Sequence, residues 1–324
     1  MANDKMKTIT VFGGSGFVGR HVVRALVKQG HRVRVAVRRP DLAGHLQPLG
    51  GVGQIQAVQA NLRYPDSIAS AMEDVDAVVN LVGILNETRR QTFAKVHELG
   101  ARAIAEQAKL AGLEQIIHLS AIGADPESSS RYARSKWTGE NAVREILPKS
   151  IILRPSIIFG PEDNFFNMFA NLARYTPVLP LIGGGHTKFQ PVFVDDIAQA
   201  VVKAVEGQAK AGSIYELGGP EVLSFKQLME FTLKAIERKR MLVTIPFMLA
   251  KMEASFLQLL PKPLLTVDQV RLLETDNVVS QSAKSRKLTL EGLGIQPRSI
   301  EAIVPAYLEM YRRTGQYAGY QANS

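Results

Sequence analysis

Apolar positions in the first half of the chain switch repeatedly between two spacings. Thr8-Ile9-Thr10-Val11-Phe12 is a β-branched and aromatic run that suits a strand. From 17 to 29 the period lengthens: Val22, Val23, Leu26 and Val27 share one helical face, and Gly30 supplies a stop. Residues 32–37 alternate again, with Val33, Val35 and Val37 on one side, and 54–60 read as a weaker third strand. Residues 77–82 form a short apolar run fit for a buried parallel strand. The pattern then predicts a helix over 92–111 closed by Gly112, a strand over 115–120, a helix over 131–146 and a strand over 150–154. Repeated βα units of this kind predict an α/β fold, a doubly wound parallel sheet with helices on both faces.

Beyond about residue 160 the pattern loosens. Residues 165–175 look helical, Gly183-Gly184-Gly185 is a turn, and 191–194 is strand-like. A helix then runs from Asp195 or Asp196 to Val205, with those acids read as helix caps. Residues 213–217 suit another strand, and Ser224 caps a helix carrying Leu228, Phe231 and Leu233. The expected organisation is a Rossmann core over 1–160, completed by 190–220 as strands near 191–217 return to the sheet. A smaller substrate or partner lobe takes 161–189 and 221–324, with 315–324 as a loose tail.

The segment 246–260 has two readings. Pro246 suits a first helical position. Lys251, Ser255 and Gln258 form a narrow polar stripe, Glu253 lies off it, and Phe247, Met248, Ala250, Met252, Phe256, Leu257, Leu259 and Leu260 cover the rest. Such a helix is either buried in the lobe or a surface that meets a membrane or a partner protein.

Composition removes several functions. The 324 residues carry a net charge of +9, dispersed except at Arg38-Arg39, Arg89-Arg90, Arg238-Lys239-Arg240 and Arg312-Arg313. No basic stripe is interleaved with aromatics, so nucleic-acid binding is not expected. The absence of cysteine excludes disulfides, thiolate catalysis and zinc–thiolate sites. No His, Asp or Glu group has metal-ligand spacing, so no metal is expected. Residues 1–7 show no signal peptide, and no apolar stretch reaches the length of about 18 residues that a membrane span needs. The expected location is cytoplasmic, with a peripheral place on the inner membrane face.

The chemistry concentrates at strand ends. Between the first strand and helix stand Gly13, Gly14, Ser15, Gly16, Phe17, Val18 and Gly19. Gly13 allows the tight turn, Gly16 lets a pyrophosphate approach the backbone, and Gly19 lets the helix pack close to the strand. The helix N-terminus then offers N–H groups to an anion. An NAD site usually has an acid at the end of the second strand. Arg38 and Arg39 stand there instead, which favours NADP(H) through guanidinium contacts to a 2′-phosphate, with NAD(H) as the alternative. Asp41 is the acid able to fold back onto a ribose. Farther on, Tyr132 and Lys136 share a helix face at i and i+4. An ammonium beside a phenol lowers its pKa from about 10. Tyr132 is thereby a candidate to exchange a proton with a substrate oxygen while hydride moves to or from a nicotinamide.

The glycine run, the Tyr132–Lys136 pair, Arg154-Pro155-Ser156-Ile157-Ile158-Phe159-Gly160-Pro161 and Pro191-Val192-Phe193-Val194-Asp195-Asp196 together resemble the extended and atypical short-chain dehydrogenase/reductase superfamily. Ser128-Ser129-Ser130-Arg131-Tyr132, Phe159 to Phe165, and Gln190-Pro191-Val192 narrow the resemblance to the nucleotide-binding accessory subunits of respiratory complex I and their bacterial relatives. It runs from about 7 to about 240. The resemblance implies that Tyr132 and Lys136 are catalytic. It aligns the family's serine with Ala121, leaving Ser120 as a displaced substitute, and the family's helix asparagine with His97. It also implies cofactor contacts from Asn61 and Leu62 after the third strand, from Leu81, Val82 and Gly83 after the fourth, and from Pro155, Ser156 and Ile157 beside the carboxamide. His118 reads as a core residue, and His186 is assigned no role.

Three functions follow as expectations. One is an NADP(H)-holding protein partnered by membrane-associated respiratory or quinone-biosynthesis proteins. Another is an active NADPH-dependent oxidoreductase on a hydrophobic carbonyl or alcohol such as a quinone, steroid-like or isoprenoid compound. The third is a redox-sensing binding module.

Overall fold

The structure is a computed structural model that describes residues 6–258 and 265–313. Its main sheet has seven parallel strands: β1 (Thr8–Phe12), β2 (Arg32–Val37), β3 (Ile55–Gln59), β4 (Ala77–Asn80), β5 (Ile117–Leu119), β6 (Ile151–Pro155) and β7 (Ile214–Leu217). Their order is β7-β6-β5-β4-β1-β2-β3. The chain winds outward from β1 through β2 and β3, then restarts on the other side of β1 with β4. The order therefore reverses at β1, and a crevice opens beyond the carboxyl ends of β1 and β4.

Alternation along the strands divides the core into two layers. Phe12, Ala36, Val78 and Ile152 face one layer with Ile68 of α2 (Pro65–Ala71), Ala101 and Ile104 of α3 (Gly100–Leu110) and Val143 of α4 (Arg131–Ile146). Val11 and Val35 face the other layer, close to Gly14 and to Val23 of α1 (Phe17–Lys28). There α1 packs on α6 (Val194–Val205), whose Ile197, Val201 and Val202 are buried.

The chain divides into two compact units. One comprises Met1–Pro155, Val194–Leu217 and Ser280–Gln296; the other comprises Ser156–Phe193, Gly218–Val279 and Pro297–Ser324. The second unit holds α5 (Phe166–Tyr175), α7 (Phe225–Ala235) and α8 (Phe247–Leu257). It also pairs Val178–Ile182 in parallel with Met241–Ile245. Asp163 organises its start: it accepts from the backbone N–H of Gly160, Phe165 and Asn167, and from the Tyr307 hydroxyl at 2.6 Å.

Several local expectations are corrected. Of the stretch 191–217, only β7 joins the main sheet; Val192–Phe193 pairs instead with Ile158–Phe159. The helix expected over 92–111 opens as a π-helix, Ala94–Leu99, before α3 continues it. Asp195 and Asp196 are not caps: α6 begins at Val194, and Asp195 binds His21 Nδ1 at 2.5 Å and Arg24 Nη2 at 2.7 Å on α1. Burial works to raise the Asp195 pKa, but His21 and Arg24 overcome it and hold the carboxyl at about 2. Helix α8 is not buried as a whole: Ala250 and Ala254 are its buried residues. The tail at 315–324, with Leu259 and Leu260 of the expected helix, lies outside the described residues.

Candidate active site

The turn after β1 is closed by backbone alone. Gly13 has φ +79°, donates to the Ala36 carbonyl at 3.3 Å and accepts from Gly16 N–H at 3.1 Å. A Cβ on Gly13 would stand 3.2 Å from the backbone of Leu81 and Val82, so β4 crowds this side. Gly19 is the most constrained position. A Cβ there would lie 2.3 Å from the Gly13 oxygen and 2.6 Å from Gly14 Cα, because the first turn of α1 folds back onto the loop. Gly14 fills the gap to Val35, which a Cβ would meet at 2.8 Å. Gly16 differs, since a Cβ there would meet only the Gly13 oxygen, at 3.4 Å. It is the N-cap of α1, no side chain caps the helix, and no acid occupies its first turn. The N–H groups at Phe17, Val18 and Gly19 can therefore donate to an anion. Gly16 is the exposed residue of this loop, Ser15 is half-buried, and Phe17 packs edge-on against His21 at 5.8 Å.

The rim beyond β2 and β3 is exposed. Arg38 makes no hydrogen bond or ion pair among the described residues. Arg39 is held by Asp41, with Nη2 2.6 Å from Oδ2. Asp41 thus folds onto Arg39, and the two arginines differ in availability. Asn61 builds the turn after β3, its Oδ1 accepting from Arg63 N–H at 3.2 Å. The Leu62 side chain packs against the start of α3, where a Cβ on Gly100 would meet it at 2.7 Å. Leu81, Val82 and Gly83 leave β4 beside the glycine loop, and the Asn80 side chain braces Val82 N–H at 3.0 Å.

At the other end of the crevice, α4 presents Tyr132, Lys136 and Glu140 one turn apart. Ser130 caps this helix by accepting from Ala133 N–H at 3.2 Å. Lys136 Nζ stands 5.9 Å from the Tyr132 ring centre and donates to the Leu119 carbonyl at 3.3 Å. Gly83 makes room for it: a Cβ there would lie 3.3 Å from Nζ. Burial pulls the Lys136 pKa down to about 8, opposed by Glu140. Burial also pushes the Tyr132 phenol up to about 12. This corrects the expected phenol: desolvation dominates, and Tyr132 is protonated at neutral pH. Ser120 follows β5, and its Oγ is buried without a hydrogen-bond partner.

His97 is a site residue that local sequence reasoning missed; only the family alignment pointed to it. It sits in the π-helix, a deviation that recurs at functional sites. Its ring stacks on Phe93 at 5.5 Å and meets the Tyr132 ring edge-on at 5.4 Å. Ile84 N–H donates to its Nε2 at 3.0 Å. Nδ1 therefore carries the proton and donates to Ser135 Oγ at 2.9 Å, while Ser135 donates to the Tyr132 carbonyl at 2.8 Å. Burial, helped by the Lys136 and His118 charges, lowers the His97 pKa to about 2, so the ring is neutral. His118 is buried on β5 and held by Asn80 Nδ2 at 3.0 Å.

The remaining expected residues are divided. Pro155 ends β6, its carbonyl accepting from Ile122 N–H at 2.9 Å. Ser156 and Ile157 begin the second unit. The Ser156 hydroxyl faces the Asn277 carbonyl at 2.8 Å and Oδ1 at 2.7 Å, and accepts from Gln190 N–H at 3.2 Å. That side chain is committed to its own unit, through a partner 121 residues away that no local pattern announces.

A Gly-loop parallel sheet with a Tyr–Lys helix defines a nicotinamide-dinucleotide class of protein, and the comparisons make it specific. The chain matches the NAD dependent epimerase/dehydratase family over residues 9–218 and belongs to that family. Among its relatives is NADH dehydrogenase [ubiquinone] 1 alpha subcomplex subunit 9, mitochondrial, of Arabidopsis thaliana, 36% identical over 322 residues, covering 96% of this chain and 79% of that protein. A ceramide reductase of Caulobacter vibrioides is 34% identical over 202 residues, 62% of each chain. The fold is shared with dTDP-glucose 4,6-dehydratase of Streptomyces venezuelae, solved with NAD and DAU bound, at TM-score 0.69 and 19% identity over 97% of this chain and 99% of that one. Among the described residues, no helix is long and apolar enough to cross a membrane, and no cluster of His, Asp or Glu could hold a metal ion.

Proposed function

We propose that this protein holds NADP(H) as a retained cofactor and serves as an accessory component of respiratory or quinone-handling membrane machinery, peripheral to the inner membrane face. The uncapped start of α1 and the open side of Gly16 suit the diphosphate. Arg38, exposed and unpaired among the described residues, suits a 2′-phosphate. The backbone of Leu81–Gly83, the Asn61 turn and Pro155 border the rest of the dinucleotide, and Lys136 suits the nicotinamide ribose. Similarity to a complex I subunit supplies the partner class.

The bonding of His97 carries the choice of retention over turnover. Both ring nitrogens are engaged and the ring is neutral, so it cannot pass a proton onward from Lys136 or Tyr132. A bound nicotinamide supplies hydride chemistry. The chain's residues would position it and keep water from it, with Tyr132 able only to donate a proton. To test this, the native protein is denatured and the released nucleotide identified. About one NADP(H) per chain, unoxidised by added quinones or hydrophobic ketones, is expected. No nucleotide, together with no calorimetric response to NADP(H) or NAD(H), would overturn it.

A second reading is favoured by Ser120. Its buried, unpartnered Oγ lies next in sequence to the carbonyl that holds Lys136, and could donate to a substrate carbonyl oxygen. The ceramide reductase relative points to a long-chain ketone. Turnover of such a ketone that falls in both Ser120→Ala and Tyr132→Phe would establish this reductase.

A further inference from the structure

Helix α8 is turned inside out. Its buried side is Ala250 and Ala254, packed with Ile182 and Val270. Phe247 packs against that cluster, but four other large apolar side chains point the other way: Met248 is 79% exposed, Phe256 71%, Met252 59% and Leu249 48%. At 3.6 residues per turn these four share an arc of roughly 100° opposite the two alanines. Met241 and Val243, two apart on the edge strand Met241–Ile245, are exposed as well. Water-facing methionine and phenylalanine on one continuous helical face marks a surface that something apolar covers.

Charge identifies that partner. Arg238, Lys239 and Arg240 run directly into this strand. Burial first, then the charges of Arg240, Arg313 and Arg174, lowers the pKa of Arg238, so these arginines crowd one another. Arg238 and Arg240 spend their Nε groups on the carbonyls of Tyr311 and Ala173 and have no carboxylate partner among the described residues. Of the acids of this region, Glu237 and Glu309 are engaged by Arg312 and Glu274 by Lys251, while Glu253 is exposed on α8 at the edge of the apolar arc. A basic cluster beside apolar residues, on a chain of net charge +9, matches an anionic bilayer interface, where acyl chains take the apolar face and lipid phosphates take the arginines.

We propose that the second unit docks directly on an anionic lipid bilayer, with Met248, Leu249, Met252 and Phe256 immersed in the interface and Arg174, Arg238, Lys239, Arg240 and Arg313 on the lipid headgroups. This deepens the membrane half of the reading above, rests on it for the biological setting, and is independent of its nucleotide half.

The test is sedimentation of the full chain with vesicles of phosphatidylcholine alone or mixed with phosphatidylglycerol. Binding to the mixed vesicles at least tenfold stronger than to neutral ones is expected. Met252→Ser with Phe256→Ser, both at exposed positions, should cut it at least tenfold, and Arg174→Gln with Lys239→Gln should remove most of the anionic preference. Phe256→Trp should be quenched by brominated lipids. Failure to bind either vesicle, binding indifferent to the serine pair, or a solution dimer that the serine pair dissolves would each overturn the proposal. Nucleotide content is measured on the same samples. Retained NADP(H) without vesicle binding sinks only this proposal; vesicle binding without nucleotide sinks only the cofactor-holding one.

Discussion

Glu140 and Arg154 form a two-pronged ion pair in the core domain. Arg154 Nη2 lies 2.6 Å from Oε2, Nε lies 3.0 Å from Oε1, and the Glu140 side chain is 3% exposed. Glu140 also stands one turn beyond Lys136 and is the charge that opposes the lowering of its pKa. One carboxylate thus anchors α4 to β6 and supports the ammonium at the site.

Removing that carboxylate should be felt twice. Glu140→Ala leaves the half-buried Arg154 guanidinium without its partner, which should cost about 3 kcal/mol, the low end for breaking a buried pair, read as a lower urea midpoint. Replacing both residues with methionine should recover much of the loss, because the unpaired charge is then gone. In Glu140→Gln the Lys136 pKa should fall below its present value of about 8, read from the pH dependence of lysine acylation.

Acid should unfold the protein through two neutral histidines. Burial lowers His97 to about 2 and His118 to about 3. In the unfolded chain both bind protons near pH 6.5, so below that pH the unfolded state binds more protons and stability falls as pH falls. Each contributes a slope of about 1.4 kcal/mol per pH unit until its folded pKa is reached. Urea midpoints between pH 6.5 and 5 should show this decline, and His97→Asn should make it shallower, leaving the share of His118 and of His31, whose pKa burial also lowers.

The two arginines after β2 should not behave alike. Arg38→Ala should weaken NADPH binding by about tenfold or more, the worth of one charge-assisted hydrogen bond, and leave NADH unchanged. Arg39→Ala should have a smaller effect, because Asp41 already holds that guanidinium. Asp41→Asn frees Arg39 and should tighten NADPH. Calorimetry with both nucleotides decides; equal losses for NADH and NADPH in Arg38→Ala would remove the 2′-phosphate assignment.

The parallel sheet was legible because buried strands such as β4 read as unbroken apolar runs, and the glycine loop because its neighbours in sequence are its neighbours in space. Tyr132 and Lys136 were legible for the same reason, being one turn apart. The chemistry of Tyr132 was not, because its pKa is set by burial, which no spacing encodes. The π-helix was invisible since residues 92–111 keep a helical period across it. Asp195 looked like a cap because its partners, His21 and Arg24, lie more than 170 residues away. Helix α8 misled for a different reason: amphipathic reasoning assumes that the largest apolar residues face inward, and here two alanines and Phe247 do while Met248, Met252 and Phe256 face out.

Gly16 and Gly19 allow folding to be separated from nucleotide binding. A methyl on Gly19 collides with the Gly13 oxygen at 2.3 Å and with Gly14 Cα at 2.6 Å, both backbone atoms that no rotamer change can move aside. Gly19→Ala should therefore destabilise the apoprotein by about 3 kcal/mol, at the upper end of ordinary overpacking, and lower its thermal midpoint. Gly16 has φ −76°, and a methyl there meets one atom at 3.4 Å. Gly16→Ala should fold with a loss of about 1 kcal/mol at most, the difference between glycine and alanine at an N-cap. That same methyl stands on the open side of the loop, where a diphosphate would approach the α1 N–H groups. Calorimetry should then show a loss of NADPH affinity of at least tenfold in a protein whose melting is nearly unchanged. Undiminished binding in Gly16→Ala would mean that the diphosphate lies elsewhere than on this turn.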